Sequence, residues 1–209
     1  MKAYIFIAAT LVLTFAPAVG RVDAELLTTA QAMQSAGRGN LDPDSQIDIY
    51  QRALAEESAD LNLENLSKSR SKDEVRLWVG FGLITPRLFV LRREGGIEKA
   101  TYYSTEPNPD KTARPRTGIK VVLPLESPRS GWKDFRTFLK QNGVGAPLKL
   151  TSDSESLIDP DSEAIVIEVK SARGYEMVFF TKGTKTADGR KAVGVCQQIE
   201  SEFKVRMGC

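Results

Sequence analysis

The chain has 209 residues, with 29 lysines and arginines against 27 aspartates and glutamates, and it contains no histidine. That length suits one domain with a small appended segment, and the balanced charge leaves no electrostatic footprint for nucleic acid or an anionic membrane. Without histidine there is no Ser-His-Asp or Cys-His nucleophile and no imidazole-based zinc site, so only carboxylates, lysines and tyrosines remain for chemistry.

Residues 1–24 read as an address. Lys2 precedes an apolar run from Ile5 to Phe15, followed by two small-residue exits, Ala16-Pro17-Ala18 and Val22-Asp23-Ala24. A positive start, a short apolar stretch and an A-x-A-like end make a secretory signal peptide. The run is shorter than the roughly 20 residues that span a bilayer. Pro17, Arg21 and Asp23 end it early, and cleavage is expected after Ala24 in preference to Ala18. No cysteine follows to carry a lipid, so the mature chain is expected without a stable membrane anchor, in the periplasm or outside a bacterial cell. Losing Lys2, Arg21 and Asp23 leaves its charge close to neutral.

Residues 25–70 read as a helical segment. One helix is expected over Glu25–Ala36, stopped by Gly37 and Gly39, and a second from Asp44 to about Asp60 on the stripe Ile47, Tyr50, Leu54. Residues 49–55 look faintly like a tetratricopeptide helix, but no second copy follows at the required period. Asn40, Asp42, Asp44 and Asp48 have calcium-loop spacing. Pro43 and Ser45 stand where such loops turn, though, and no glutamate closes the set, so capping and turn chemistry account for them better.

Residues 71–209 read as an α+β domain. Val75, Leu77, Val79, Phe81 and Leu83 alternate with Arg76, Trp78, Gly80 and Gly82, as a strand does. Arg87–Glu94 and Ile97–Ser104 flank Gly95-Gly96, a two-residue hairpin signal. A basic run of Lys111, Arg114, Arg116 and Lys120 is broken by prolines and reads as a solvated loop, and Ile119–Leu125 as a strand. Trp132, Phe135, Phe138 and Leu139 share a helical face, with Ser130 the expected cap and Asn142-Gly143 the stop. A polar loop covers 151–163. Ala164–Ser171 and Tyr175–Thr181 then form a hairpin, expected with the three-residue loop Ala172-Arg173-Gly174, which pairs Lys170 with Glu176 and Val169 with Met177. Asp188 is expected to cap a last helix bearing Ala192, Cys196, Ile199 and Phe203 on one face. The order predicts a largely antiparallel sheet of about six strands with packing helices.

Cys196 and Cys209 are the only cysteines. In an oxidising compartment they are expected to pair. On one continuous helix they would stand roughly 20 Å apart, against the 7 Å or so that a disulfide allows. The bridge therefore requires the helix to stop near Phe203 and the tail to fold back, with Gly208 easing the bend. Otherwise Cys196 is a buried thiol and Cys209 a free or intermolecular one.

One constellation could carry chemistry. Pro160-Asp161 followed by Glu168-Val169-Lys170 resembles the PD-(D/E)xK signature of metal-dependent nucleases, which implies a metal held by Asp161 and Glu168 with Lys170 assisting the attacking water. Asp153 or Glu155 could replace Asp161. Against this reading, Asp161 and Glu168 are too close in sequence to lie on neighbouring strands. Lys170 also has a cross-strand partner in the expected hairpin, and a basic surface for phosphate is missing. The catalytic, metal and cofactor sites are therefore expected to be none.

More broadly, Glu74-Val75-Arg76-Leu77-Trp78, the Gly95-Gly96 hairpin, the Trp132 helix and the Ile167-to-Tyr175 pattern resemble a loose group of uncharacterised exported bacterial proteins. That resemblance, over about 73–203, implies a single small domain and no activity. The leading expectation is a non-catalytic binding or interaction module of the cell envelope with an envelope protein as partner, using Trp78, Tyr102 and Tyr103 as a contact patch if they are exposed. The alternatives are the carboxylate-based hydrolase and a subunit of an envelope assembly docked through the helical segment.

Overall fold

The computed structural model describes residues 43–81, 85–107, 117–152, 164–181 and 183–209. The expected leader, its Ala24 exit and the Glu25–Ala36 helix lie outside these residues.

The first helix, α1, spans Pro43–Asp60, and a short 3-10 helix follows at Leu66–Lys68. Strands β1 (Asp73–Phe81), β2 (Arg87–Glu94), β3 (Ile97–Pro107) and β4 (Thr117–Leu125) then run as a meander. Helix α2 (Trp132–Gln141) leads to β5 (Ala164–Ser171), β6 (Gly174–Thr181) and helix α3 (Ala187–Phe203). All six strands form one antiparallel sheet in the order β4-β3-β2-β1-β5-β6, so the fold is α+β.

Both faces of the sheet are covered over its central strands. On one, Leu77, Phe89, Ile165, Ile167 and Phe180 pack against Phe135 and Leu139 of α2 and Val195, Cys196 and Ile199 of α3. On the other, Trp78, Leu88, Val90, Val166 and Phe179 pack under Ala53 and Leu54 of α1. This is why β1 is buried along nearly its whole length. Period-two alternation ordinarily separates a core face from a wet one; here the polar positions of β1 and β5 lie beneath a helix.

Strict alternation would put Phe81 beside Val79. Gly80, at φ +75°, instead takes part in a bulge between β1 and β5, and Phe81 joins Trp78 under α1. The β2–β3 turn is as expected, with Gly95 and Gly96 both at positive φ and Glu94 facing Ile97.

The β5–β6 register differs from the expected one. Ser171 faces Gly174, so the loop is only Ala172-Arg173, and Lys170 faces Tyr175, Val169 faces Glu176 and Glu168 faces Met177. Matching apolar with apolar assumes one wet face. With both faces covered, Glu168 is buried opposite Met177, and Glu176 instead accepts the Leu148 N–H at 3.0 Å.

Two helix caps also differ. Gly131, not Ser130, holds the N-cap position of α2, and the Ser130 N–H reaches across to Glu202 at 2.8 Å. Thr186 caps α3 by accepting the Gly189 N–H at 3.0 Å, while Asp188 bonds Lys191 and the Thr151 N–H. As expected, α3 stops at Phe203 and the tail returns through Lys204 (φ +54°) and Gly208 (φ +87°). Cys196 and Cys209 are bridged with Cα atoms 6.0 Å apart. The Glu200 carboxylate accepts the Met207 and Gly208 N–H groups, and the Arg206 carbonyl accepts the Tyr102 hydroxyl at 2.9 Å.

Candidate functional site

The α1-covered face holds the most charged part of the interior. Cross-strand pairing sets Arg76 of β1 opposite Glu168 of β5 and Glu74 opposite Lys170, all on one face because side chains alternate. Glu74 and Arg76 are 0 % exposed and Glu168 is 1 % exposed.

Each of these groups is satisfied. The Arg76 guanidinium donates through Nε to Glu74 at 2.8 Å, through Nη1 to the Ser58 hydroxyl at 3.1 Å and through Nη2 to the Glu64 carbonyl at 2.9 Å. The other Glu74 oxygen accepts Arg92 Nε at 2.8 Å. Glu168 accepts the Trp78 indole N–H at 2.6 Å and the Tyr175 hydroxyl at 2.9 Å. Lys170 Nζ donates to the Ser67 carbonyl at 2.9 Å. Ser58, Glu64 and Ser67 belong to α1 and the segment after it, so the sheet's charges fasten that segment down. Unpaired charges at such depth would cost several kcal/mol each.

Burial pushes the Glu168 carboxyl up, opposed by the Trp78 hydrogen bond, the Arg76 charge and the Tyr175 hydrogen bond. Tyr175 is also pushed up, first by burial and then by the neighbouring Glu168. Both groups therefore release their protons less readily than in water.

Of the residues singled out in the sequence, Glu168 and Lys170 do share a face, but each already has protein partners. Asp161, Asp153 and Glu155 lie outside the described residues, as do Lys111, Arg114 and Arg116. Among the described residues, no three His, Cys, Asp or Glu side chains gather to hold a metal ion. The cross-strand ion pair expected between Lys170 and Glu176 is absent, because the shifted register points Lys170 toward Ser67. Trp78 is fully buried and Tyr102 is 9 % exposed, so neither forms a surface patch; Tyr103 is partly buried on the α1 side.

Apart from Ile47 and Ile97, the exposed large apolar side chains among the described residues gather on one strand. Ile119, Val121, Val122 and Leu123 of β4 are 38–46 % exposed. Strand β4 pairs with β3 alone and so ends the described sheet, and α1 comes close to part of it. Sequence reasoning saw β4 as a strand but gave no sign that it ends the sheet. The role of Arg76 and Tyr175 was equally hidden; the only available signal was a charge placed inside an otherwise apolar strand.

Compared with protein-family models, curated proteins and solved structures, the chain matches none of them. No helix among the described residues is long and apolar enough to cross a membrane.

Proposed function

We propose that this chain is an exported, non-catalytic binding module of the bacterial envelope that receives an extended segment of a partner protein along β4. The leader-like start and the Cys196–Cys209 bridge support export. The exposed aliphatic residues of this end strand are the observation that carries the binding reading. Edge strands are usually blunted by charge, bulges or covering elements because their free N–H and C=O groups accept another strand. Here β4 carries Lys120, Pro124 and a register shift against Ser104 and Thr105, yet Ile119, Val121, Val122 and Leu123 stay exposed. Strand addition uses the backbone for affinity and alternate side chains for specificity, and Val121 and Leu123 lie on one face of β4 with Val122 on the other.

The hydrolase alternative has less support. Glu168, its first candidate, is closed under α1 with both oxygens bonded, and Lys170 is engaged with a backbone carbonyl.

Proline supplies the test. A proline within a sheet turns its nitrogen away from the neighbouring strand, so Pro124 marks the outward parity that Val122 shares. Val122→Pro should remove an outward N–H without costing a bond to β3. Extended peptides selected from a random library against the purified protein should bind the native edge, and this variant should weaken them at least tenfold with unchanged melting. Selection that returns no binder, or binders indifferent to Val122→Pro, overturns the reading.

A further inference from the structure

Beyond the sheet edge, α2 and the ends of the neighbouring strands enclose a second kind of site. An open groove of about 710 Å³ beside α2 adjoins a more closed cleft of about 200 Å³, and Arg93, Arg136 and Lys140 line both. Lys72 and Asp73 stand at the cleft, and Glu98 and Lys133 at the groove.

The charges here fall into two groups. Arg136, with 13 % of its side chain exposed, donates to Asp73 at 2.9 Å and to Glu98 at 2.6 Å. Arg93 also pairs with Glu98, and sits 3.6 Å from Asp73. Burial pushes the Glu98 carboxyl up, but the hydrogen bonds and charges of Arg136 and Arg93 together hold it below its usual range. These four side chains form a fixed frame that joins α2 to the β2–β3 hairpin. The side-chain ammonium groups of Lys72, Lys133 and Lys140, in contrast, make no ion pair or hydrogen bond among the described residues. Apart from Lys170, whose ammonium is bound to the Ser67 carbonyl, five cations and two carboxylates line the two cavities, and three of those ammonium groups have no counter-charge among the described residues.

The shape favours a particular size. Val75, Val144 and Val169 give the cleft a buried apolar lining. Gly145 leaves room for the Lys140 stem, since a Cβ there would meet Lys140 Cγ at 3.2 Å. A void of about 150 Å³ admits a benzene-sized body, so this cleft suits a single-ring or equally compact molecule. The guanidinium forks are already occupied, which leaves the lysines as point charges for an anionic head.

We infer that the cleft binds a small organic anion, its phosphate or carboxylate held by Lys72 and Lys140 and its compact body resting against the valine lining. The site is independent of β4, so it neither needs nor tests the strand-addition reading.

The experiment is a titration of the purified protein, followed by amide NMR shifts, with phenyl phosphate, benzoate and inorganic phosphate as probes. Saturable shifts should appear around Lys72, Lys140 and Gly145, with a Kd on the order of 1 mM for the best ring-bearing probe. Phenyl phosphate ahead of benzoate assigns a phosphate ligand, and the reverse order a carboxylate. The double variant Lys72→Ala with Lys140→Ala should weaken binding at least tenfold, while Lys185→Ala, which precedes α3 and lines neither cavity, should not. Inorganic phosphate binding as tightly as phenyl phosphate would overturn the apolar lining's part in the site. Absence of saturable shifts with all three probes, or equal binding by the double variant, would overturn the site itself.

Discussion

Glu168 accepts two hydrogen bonds at once, and this determines which substitutions its site tolerates. A glutamine can turn its carbonyl toward the Trp78 N–H and its amide toward the Tyr175 oxygen, keeping both bonds without a charge. An alanine leaves the buried indole N–H without its acceptor, at about 1–3 kcal/mol, and the Tyr175 hydroxyl with only the Met177 sulfur at 3.5 Å. On the strand pattern alone, Glu168→Ala should cost little, because the residue reads as solvent-facing; its burial under α1 reverses that expectation. The glutamine variant also isolates a pH effect. An unfolded glutamate titrates near 4.3, and burial raises Glu168 above that in the folded chain. The folded state therefore holds this proton to higher pH. Its stabilising effect is complete below the ordinary value and is lost as pH rises toward the raised one. Glu98, Glu202 and Asp188 are shifted down and contribute with the opposite sign. Urea unfolding from pH 4 to 7 should thus show Glu168→Gln gaining on the native protein as pH increases. A constant gap between the two would show that Glu168 does not titrate differently on folding.

At the level of elements, legibility follows the origin of the signal. The Gly95-Gly96 turn, the stop at Gly143 and the return of the tail to Cys196 depend on local backbone chemistry, and each was readable. The β5–β6 register depends on what covers each face of the sheet, which no window within the strand contains. The same holds for Phe81, whose side is set by a bulge. Glycines at element ends allow a quantitative check. Gly143 ends α2 at φ +82°, and a Cβ there would meet Leu150 Cδ2 at 2.9 Å. Gly95 has φ +57° and open space around it. Alanine at Gly95 should therefore cost only left-handed strain, about 1 kcal/mol. Alanine at Gly143 should cost about 1–2 kcal/mol more, because the buried Leu150 has to move. Equal losses in chemical denaturation would mean that Leu150 yields freely and that the α2 stop is loosely packed.

Across the whole molecule, β1 and β5 supply residues to both cores, Leu77 and Ile167 to one, Trp78 and Val166 to the other. The cationic groove illustrates what such assembly hides, since Lys72, Arg93 and Lys140 come from three separate stretches that look unremarkable singly. The sequence divides into a helical segment up to residue 70 and a domain after it, yet α1 shares its apolar contacts and the Arg76 hydrogen bonds with the sheet. If those contacts couple the two parts, they should unfold together. The two tryptophans allow a direct measurement, because Trp78 lies under α1 and Trp132 packs on the opposite core. In Trp132→Phe, emission reports the α1 side alone, while ellipticity at 222 nm sums helices from both sides. The two signals should trace one transition in urea. Leu54→Ala, which removes a side chain only 2 % exposed, should shift both equally, by about 2–5 kcal/mol. Trp78 emission changing ahead of the ellipticity, or Leu54→Ala moving only the emission curve, would show that α1 detaches while the sheet and the helices on its far side remain folded.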